Sequence, residues 1–329
     1  MPDLHCLEMR FAHRRRTAMS KLGITLFGKF SVWQADQKLD IIGARKLQEL
    51  LSYLLLFRDH SHPRESLAEL FWGDNSPTQS KKYLRQALWQ LQSIFNPFFE
   101  RETKPLLITE FDWIRIDSKA DLWLDVAEFE QAHALVRGKL GRQFNPQDFE
   151  ILENAIGLYQ GDLLEGCYQD WCLFERERLQ NTYLEMLDKL MDYCEEHDEY
   201  ENGLVYGTLI LRLDRARERT HRRLMRLYHL EGNRTEALRQ YERCKVALEE
   251  ELGVAPSNRT KELLEQIRVD CLEKSVLFQA TKNQTSYVQA LILSEILSHL
   301  NQLAGMHADF QRKAQEEIQM LEQILKDMH

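Results

Sequence analysis

Residues 80–95 read SKKYLRQALWQLQSIF, and this stretch predicts a helix with two contrasting sides. On a helical wheel of about 100° per residue, the apolar side consists of Leu84, Leu88, Leu91 and Phe95. The opposite side consists of Lys82, Gln86, Trp89 and Ser93, with Lys81 and Arg85 on its shoulder. An apolar stripe of this width packs against a core, so the sequence directs a cationic face with an aromatic residue outward.

The segments on either side of this helix alternate between short strands and helices. Before it, the β-like runs GITLFG, FSVWQ and KLDII precede a leucine-rich helix in residues 44–57. A second helix, HPRESLAELFW, begins near Pro63, and Ser76 with Pro77 opens the helix of residues 80–95. After the break at residues 96–97, LLITEFDWIRID forms two β runs around Glu110 and Asp112.

A sheet, three helices and a terminal hairpin, in that order, predict a winged helix-turn-helix. In such units the third helix enters the major groove of DNA. Arginine can bond guanine with two hydrogen bonds and glutamine can bond adenine in the same way, while lysine suits phosphate. The alternative at this point is an ordinary solvated helix face.

The charge of the chain is unevenly distributed. The net charge is −9, yet residues 1–118 carry 17 Lys and Arg against 14 Asp and Glu, and the remaining residues carry 26 against 38. Nucleic-acid binding requires positive charge locally, so the overall acidity does not exclude DNA. Six cysteines without a CxxC pair indicate neither a zinc site nor a disulfide framework. The chain has no apolar run of membrane-spanning length and no secretory signal, which predicts a cytoplasmic protein with no membrane partner.

From Asp125 onward the sequence predicts helices alone. The interval from Tyr200 to Arg234 is 34 residues, and it aligns Gly203 with Ala237. This interval is the tetratricopeptide period, in which paired helices stack into an array that binds a partner.

The two ends of the chain leave alternatives open. We expect residues 1–20 to form a flexible basic leader, in which HRRR at residues 13–16 is either a phosphate-seeking arm or inert. The sequence predicts a C-terminal helical extension in residues 269–329, with apolar residues at alternating three- and four-residue spacing. That spacing fits a coiled-coil dimer seam or a packed helical hairpin.

Several of these segments resemble one family over about residues 22–268. LAELFWGD, YLRQALWQLQ and ADLWLDVAEFE are similar to the DNA-binding part of SARP-type bacterial transcriptional activators. In this family an OmpR-like winged helix precedes a bacterial transcriptional activator domain. DWCLFERERL, THRRLMRLYHLEGNRTEALRQYERC and LEEELGVAPSNRT resemble the second of these domains.

The resemblance implies a mainly α fold with an N-terminal winged helix (α+β, residues 21–118) and a helical, tetratricopeptide-like activator domain (residues 119–268). It implies a sequence-specific DNA-binding activator that binds promoter repeats, with double-stranded promoter DNA, RNA polymerase and a second copy of the chain in a homodimer as partners. The recognition-helix residues implied for DNA are Lys81, Lys82, Arg85, Gln86, Trp89 and Gln90. Arg115 is the residue implied in the wing.

Two departures from the family favour a second hypothesis. The helix has Gln90, Leu91 and Gln92 where the family usually has Arg-Leu-Arg, and Glu110 and Asp112 make the wing acidic. Fewer cationic contacts release fewer counterions and weaken non-specific DNA affinity. The alternative is therefore a protein-interaction adaptor that uses the repeat groove, with a winged helix that no longer binds DNA strongly.

An enzyme is the least favoured hypothesis. The sequence has no Gly-rich phosphate loop, no HExxH and no nucleophile elbow. We expect His197 and His221 to be exposed on charged helices, and Cys167 and Cys172 to be core residues. We predict no catalytic residue, no cofactor and no metal site.

Overall fold

The computed structural model describes residues 22–34, 37–40, 42–98, 105–117 and 120–270. The predicted leader, residues 1–20, lies outside the described residues, as does the predicted C-terminal extension from residue 271 onward. The chain divides into two compact units, Met1–Leu264 and Glu265–His329. The elements described below belong to the first unit, except for the last four residues of the final helix, Asn258–Arg268.

The chain begins with a sheet that also receives a strand from much later in the sequence. Its strands are β1 (Leu22–Thr25), β2 (Ser31–Gln34), β3 (Gln37–Leu39) and β7 (Leu122–Leu124), in the order β3-β2-β1-β7. The first three form the predicted antiparallel meander, whereas β7 pairs in parallel with β1. All four residues of β1 are buried, as expected for a central strand that is covered by other elements.

Three helices follow the meander, as predicted. They are α1 (Arg45–Leu56), α2 (Arg64–Trp72) and α3 (Pro77–Phe95). The leucines that recur at helical spacing in α1 are all buried: Leu47, Leu50, Leu51, Leu54 and Leu55. Burial of this apolar stripe stabilises the unit, at about 1.5–3 kcal/mol for each fully buried leucine.

A second, smaller sheet forms the wing. It contains β4 (His62–Pro63), β5 (Leu107–Glu110) and β6 (Trp113–Ile116), in the order β4-β6-β5. The two predicted β runs are therefore confirmed as a hairpin with a two-residue turn at Phe111 and Asp112. The short strand β4, which places Pro63 beside Trp113, was not expected from the sequence.

The remainder of the described chain is helical. The helices are α4 (Asp125–Leu135), α5 (Pro146–Ile156), α6 (Asp170–Glu196), α7 (Tyr200–Leu213), α8 (Glu218–Leu230), α9 (Arg234–Leu252) and α10 (Asn258–Arg268). Helices α6 to α9 pack in sequence, each against the next.

The 34-residue interval has a direct structural counterpart. Helices α7 and α9 begin at Tyr200 and Arg234, and the aligned residues Gly203 and Ala237 are both buried. A Cβ atom at Gly207 would lie 2.5 Å from a Leu224 methyl carbon, so this glycine permits α7 and α8 to pack closely. Small residues at such positions are what a stacked helical repeat requires.

The winged helix and the helical domain are joined by a buried carboxylate. Asp125, at the start of α4, accepts hydrogen bonds from the backbone N–H groups of Leu26 (2.8 Å) and Phe27 (2.9 Å). It also accepts one from the N–H group of Val126 at 2.8 Å. The carboxylate satisfies three buried donors, two just after β1 and one in the first turn of α4.

Aromatic contacts continue the core across the same junction. The Trp171 ring, at the start of α6, packs edge-on against Tyr53 of α1 at a centroid distance of 5.3 Å. Leu164 donates a backbone hydrogen bond to Leu26 at 2.8 Å. The winged helix and the helical domain therefore share one hydrophobic core and are not connected by a free linker.

Buried polar groups also hold the helical domain together. The side chain of Arg223 in α8 is 6% exposed and forms ion pairs with Asp188, Asp192 and Glu195 of α6. The pKa of Asp192 is raised by burial and by the neighbouring acids, although Arg223 and Arg219 oppose the rise. Removing Arg223 would leave three carboxylates without this counter-charge.

The structure corrects one expectation for the histidines. His197 is exposed, as expected, but His221 is buried at 3% exposure. Its Nε2 atom lies 2.8 Å from the Arg215 carbonyl oxygen, and its Nδ1 atom lies 2.8 Å from Gln240 Nε2. The expectation was wrong because the charged residues next to His221 in the α8 sequence indicate an exposed face. The polar groups that make its burial possible come from other parts of the fold.

Candidate nucleic-acid interface

Helix α3 is oriented by a hydroxyl group at its first turn. The buried Ser80 hydroxyl donates to the carbonyl oxygen of Trp72 at 2.7 Å, and its Oγ also lies 3.1 Å from the carbonyl oxygen of Ser76. Trp72 is the last residue of α2, so one side chain joins the end of α2 to the start of α3. This contact fixes the turn of the helix-turn-helix.

The inner face of α3 is the predicted one. Leu84, Leu88, Leu91 and Phe95 are all buried, together with Ala87. Because these residues anchor the helix in the core, its rotation about its own axis is set, and the residues on the opposite side must face outward.

The outer face of α3 is open to solvent. Lys81, Lys82, Arg85, Gln86 and Trp89 are exposed, and Gln90 is half-buried. The Trp89 ring is 67% exposed, which is uncommon for so large an apolar side chain. The helical domain lies in the same compact unit as α3 but does not cover this face.

The cations of this face differ in their partners. Lys81 donates to the Glu65 carboxylate of α2, and this hydrogen bond lowers the pKa of Glu65. Lys82 and Arg85 form no ion pair with any residue among those that the structure describes. Two of the three cations are therefore free to meet phosphates or base edges.

The wing places Arg115 differently from the cations of α3. Arg115 lies on β6, partly exposed, and its Nη2 atom is 3.4 Å from Glu110 Oε1 across the hairpin. Glu110 thus competes with any phosphate for this guanidinium. The exposed acidic residues Glu110 and Asp112 flank Phe111 at the turn.

Three residues that shape this site are not among those predicted from the sequence. Glu65 pairs with Lys81, Ser80 fixes the turn, and Arg64 donates its backbone N–H to the Asp112 carbonyl at 2.8 Å. Each contact joins positions that are distant along the chain or separated by a turn, so residue spacing gave no signal for them.

Comparison with known proteins shows what the helical domain is similar to. Residues 124–268 match the family model of the bacterial transcriptional activator domain. This part of the chain is therefore similar to that domain over the whole matched range. The match confirms the resemblance to SARP-type regulators and supports the prediction of a non-enzymatic protein, because the family is a class of transcriptional activators.

Two related proteins extend the similarity beyond this domain. The chain is 24% identical over 244 residues to the regulatory protein AfsR of Streptomyces coelicolor, which covers 74% of this chain. It is 24% identical over 247 residues to AfsR of Streptomyces griseus. The chain spans about a quarter of the length of these relatives, 24% in each case.

A solved structure supports the architecture. Mycobacterium tuberculosis EmbR, determined in complex with a low-affinity phosphopeptide, superposes with a TM-score of 0.53 at 18% identity. The similarity covers 82% of this chain and 71% of EmbR. The fold class, a winged helix followed by a helical repeat domain, is confirmed for the described residues.

The described residues indicate neither a metal site nor a membrane-spanning helix. Cys167, Cys172, Cys194 and Cys244 are buried free thiols, and no group of acidic, His or Cys side chains in the described part could hold a metal ion. No helix described here has both the length and the apolarity needed to cross a membrane.

Proposed function

We propose that this chain is a transcriptional regulator that binds promoter DNA with α3 in the major groove and activates transcription through its helical domain. The observation that carries the proposal is the open cationic face of α3. Lys82, Arg85, Gln86 and Trp89 project from a helix whose other side is buried in the core.

Each side chain on this face has a chemical role in the proposal. Arg85 bonds guanine or a phosphate, Gln86 bonds adenine, and Lys81 and Lys82 contact phosphates. Trp89 covers a sugar or a thymine methyl group, with Gln90 beside it. Arg115 contacts the backbone from the wing once Glu110 releases it.

The proposed partners of the helical domain are RNA polymerase and a second copy of the chain. The match of residues 124–268 to a transcriptional activator domain supports this part of the proposal, as does the similarity to two proteins named as regulators. A homodimer would place two α3 helices on two promoter repeats, and the repeat spacing would then follow the dimer geometry.

DNA binding by the full chain tests the proposal. A labelled fragment from upstream of the coding sequence is titrated at several salt concentrations with the wild type and with Lys82→Ala plus Arg85→Ala. We expect the double variant to bind at least about tenfold more weakly, and the slope of log K against log salt to fall by about 2, because each phosphate contact contributes roughly 0.9.

A matched variant controls for the loss of charge alone. Lys245→Ala plus Arg259→Ala removes two exposed basic side chains from the helical domain and should leave the DNA affinity unchanged. Equal weakening by both double variants would contradict recognition through α3.

The adaptor hypothesis remains the second candidate. The pairing of Lys81 with Glu65 and the acidic wing turn favour it, since both reduce the positive potential that DNA requires. If the wild type fails to shift promoter fragments even at low salt, the adaptor becomes the better account.

A further inference from the structure

Two cysteines lie against each other where the helical domain meets the winged helix. Cys167 precedes α6, and Cys172 is in the first turn of that helix. The Cys172 thiol donates a hydrogen bond to the Cys167 sulfur, and its Sγ atom also lies 3.8 Å from the Leu163 carbonyl oxygen. Both are free thiols, so the two sulfurs are neighbours that are not yet joined.

The backbone that carries Cys167 is held by two arginines. Residues 163–172 are here named the cysteine loop. Arg176 donates to three carbonyl oxygens of this loop, at 2.9, 3.2 and 3.0 Å: those of Leu163, Leu164 and Cys167. Arg45, from α1 of the winged helix, donates to the Gly166 carbonyl oxygen at 2.5 Å. These contacts fix the path of the loop and keep the two sulfurs together.

The cysteine loop is also strained. Leu164 has φ 48 and Gly166 has φ 85, both in the left-handed region, which leucine seldom adopts. The loop is held in this shape by the end of β1, because the Leu164 N–H donates to the Leu26 carbonyl at 2.8 Å. Strained backbone of this kind persists where the surrounding structure holds it and occurs preferentially at functional and switch sites.

The surroundings of the pair favour a thiolate at Cys167. The hydrogen bond from Cys172 lowers the pKa of Cys167 to about 6, the Gln169 N–H and Arg45 act in the same direction, and burial and Glu49 oppose them. The same hydrogen bond, with burial, raises the pKa of Cys172. The thiolate is the nucleophilic form of cysteine. One ionised sulfur beside one protonated sulfur is the arrangement of a redox-active pair.

The other two cysteines that the structure describes are in contrasting surroundings. Burial raises the pKa of Cys194, and it raises the pKa of Cys244 to about 12. Both side chains are fully buried. Cys167 is 6% exposed, and its neighbours in the loop, Gly166 and Tyr168, are exposed on either side. A small oxidant therefore has a short path to Cys167 and no comparable path to the other two.

We propose that Cys167 and Cys172 form a peroxide-sensitive pair, in which Cys167 is oxidised and Cys172 converts the product into an intramolecular disulfide. The Cys167 thiolate attacks one oxygen of hydrogen peroxide; an S–O bond forms, the O–O bond breaks, and hydroxide leaves and takes a proton from solvent. The Cys172 sulfur then attacks the sulfenic sulfur; an S–S bond forms, the S–O bond breaks, and the thiol proton leaves with the hydroxyl group as water. Two thiols are oxidised by two electrons, and the peroxide is reduced to two waters.

The disulfide would act on the winged helix through Trp171. The Trp171 ring packs against Tyr53 of α1 at 5.3 Å and Phe71 of α2 at 6.4 Å, between ring centroids. A covalent S–S bond is shorter than a hydrogen bond between thiols, so the first turn of α6 must move relative to both rings. Helix α2 carries the turn into α3. This step, from the disulfide to DNA affinity, rests on the proposed function.

The test uses the full chain with Cys6→Ser and Cys271→Ser, so that only the four described thiols remain. The chain is exposed to a graded series of hydrogen peroxide, quenched by alkylation and digested, and each cysteine is followed by mass spectrometry. We expect a disulfide between Cys167 and Cys172 that dithiothreitol reverses. It should form at least about tenfold faster than Cys194 or Cys244 is oxidised, since those two are protonated.

Single variants separate the two roles. Cys172→Ala should stop the reaction at a sulfenic acid on Cys167, which dimedone traps. The same variant should move the pH midpoint of Cys167 alkylation up from about 6 toward about 8.5, the value for a free cysteine. Cys167→Ala should leave Cys172 unreactive. Cys244→Ala, also at a buried thiol, is the matched control and should form the disulfide as the parent chain does. Thermal melting confirms that each variant is folded, and the alkylation profile of the parent chain tests the Cys167 thiolate without any variant.

DNA affinity is the second measurement. The oxidised chain should bind promoter DNA about fivefold or more weakly than the reduced chain, the lower end of typical coupling between sites. Reduction should restore the affinity, and peroxide should have no effect on DNA binding by Cys167→Ala.

Several outcomes would overturn the inference. Oxidation of Cys194 or Cys244 as fast as Cys167 would remove the selectivity on which it depends. Oxidation of Cys167 to sulfinic acid without a disulfide would show that Cys172 does not act on it, and a disulfide between two chains would assign the thiols to self-association.

The two proposals fail separately. A disulfide that forms as expected without a change in DNA affinity overturns the coupling through Trp171 and leaves DNA recognition standing. A reduced chain that does not bind DNA contradicts the proposed function, whereas the mass spectra still decide whether the thiol pair exists.

Discussion

The Lys81 ammonium donates a hydrogen bond to the Glu65 carboxylate, which connects α3 to α2 on the face proposed to meet DNA. The two side chains are 51% and 78% exposed, so the pair contributes little to stability. In the proposed DNA complex its effect is larger, because Glu65 neutralises one of the three cations of the face. Part of the charge that would meet phosphate is therefore withheld.

Glu65→Gln should raise the affinity for promoter DNA. The substitution keeps a hydrogen-bond acceptor and removes the negative charge, so Lys81 can form a full contact with a phosphate. We expect a gain of about three- to tenfold at low salt and a slope of log K against log salt that is steeper by up to about 1. Fluorescence anisotropy across a salt series measures both.

Glu69→Gln is the matched control for this prediction. It removes an equal charge from the same helix, at an exposed position, without releasing Lys81. An equal gain from Glu69→Gln would show that general electrostatics, and not the Lys81 contact, limits the affinity.

Asp125→Ala should destabilise the whole first unit. The carboxylate accepts from three backbone N–H groups, those of Leu26, Phe27 and Val126. Alanine would leave these buried donors unsatisfied at the junction, with an expected loss of about 3 kcal/mol in the free energy of unfolding. Urea denaturation followed by circular dichroism measures it.

Asp125→Asn and Asp40→Asn complete this experiment. Asparagine at residue 125 retains one acceptor oxygen, so its cost should lie between wild type and alanine. Asp40 is exposed, and Asp40→Asn should leave the urea midpoint unchanged. A loss below about 1 kcal/mol for Asp125→Ala would mean that water or a backbone shift replaces the carboxylate.

The elements with local patterns could be predicted from the sequence. The leucines of α1 and α3 repeat at helical spacing, and both helices bury those residues. The starts of α7 and α9 follow from an interval of 34 residues, because a repeat places equivalent turns at equal distances along the chain. For the same reason the exposed face of α3 was predictable as soon as its buried face was known.

Contacts between distant segments could not be predicted in this way. Strand β7 pairs with β1 about a hundred residues earlier, and three residues of apolar sequence do not specify a partner. The pairing of Lys81 with Glu65 depends on the angle at which α2 and α3 cross. The burial of His221 depends on Gln240 and on the Arg215 carbonyl, neither of which its local sequence indicates.

Gly207→Ala should loosen the packing of α7 on α8. The added methyl group would lie 2.5 Å from Leu224 Cδ2 and 3.0 Å from Met191 Cε, so core side chains must move. The strain, about 1–3 kcal/mol, exceeds the gain of about 1 kcal/mol in helix propensity. We expect a net loss of about 1 kcal/mol in unfolding free energy, measured by thermal and urea denaturation.

A double-mutant cycle identifies the cause of that loss. If Leu224 is the obstacle, Gly207→Ala should cost less in a Leu224→Ala background than in the wild type. Gly43→Ala is the reference, because nothing lies within 4 Å of its added Cβ atom. Additive effects in the cycle would place the strain at another neighbour.

The stability of the helical domain should depend on pH through His221. Gln240 accepts from Arg243 through Oε1 at 3.0 Å, so its Nε2 amide donates to His221 Nδ1. His221 Nε2–H then donates to the Arg215 carbonyl, and the ring is neutral. Burial lowers the pKa of His221, and Arg243 acts in the same direction, although the hydrogen bonds and Glu218 oppose the shift.

The sign of the pH effect follows from this lowered pKa. In the unfolded chain, with a histidine pKa of about 6.5, residue 221 binds a proton that it does not bind in the folded chain. The free energy of unfolding is therefore highest above about pH 7 and falls as the pH drops below about 6.5. The slope is at most about 1.4 kcal/mol per pH unit for one proton. His62, whose pKa is also lowered by burial, adds a second contribution of the same sign. Urea midpoints between pH 7.5 and about 5 should therefore decrease. His221→Gln should remove part of the decrease, whereas His60→Gln, at an exposed position outside the helical domain, should leave that part in place. If the pH dependence is unchanged in His221→Gln, the ring takes up its second proton within the folded site as readily as in the unfolded chain.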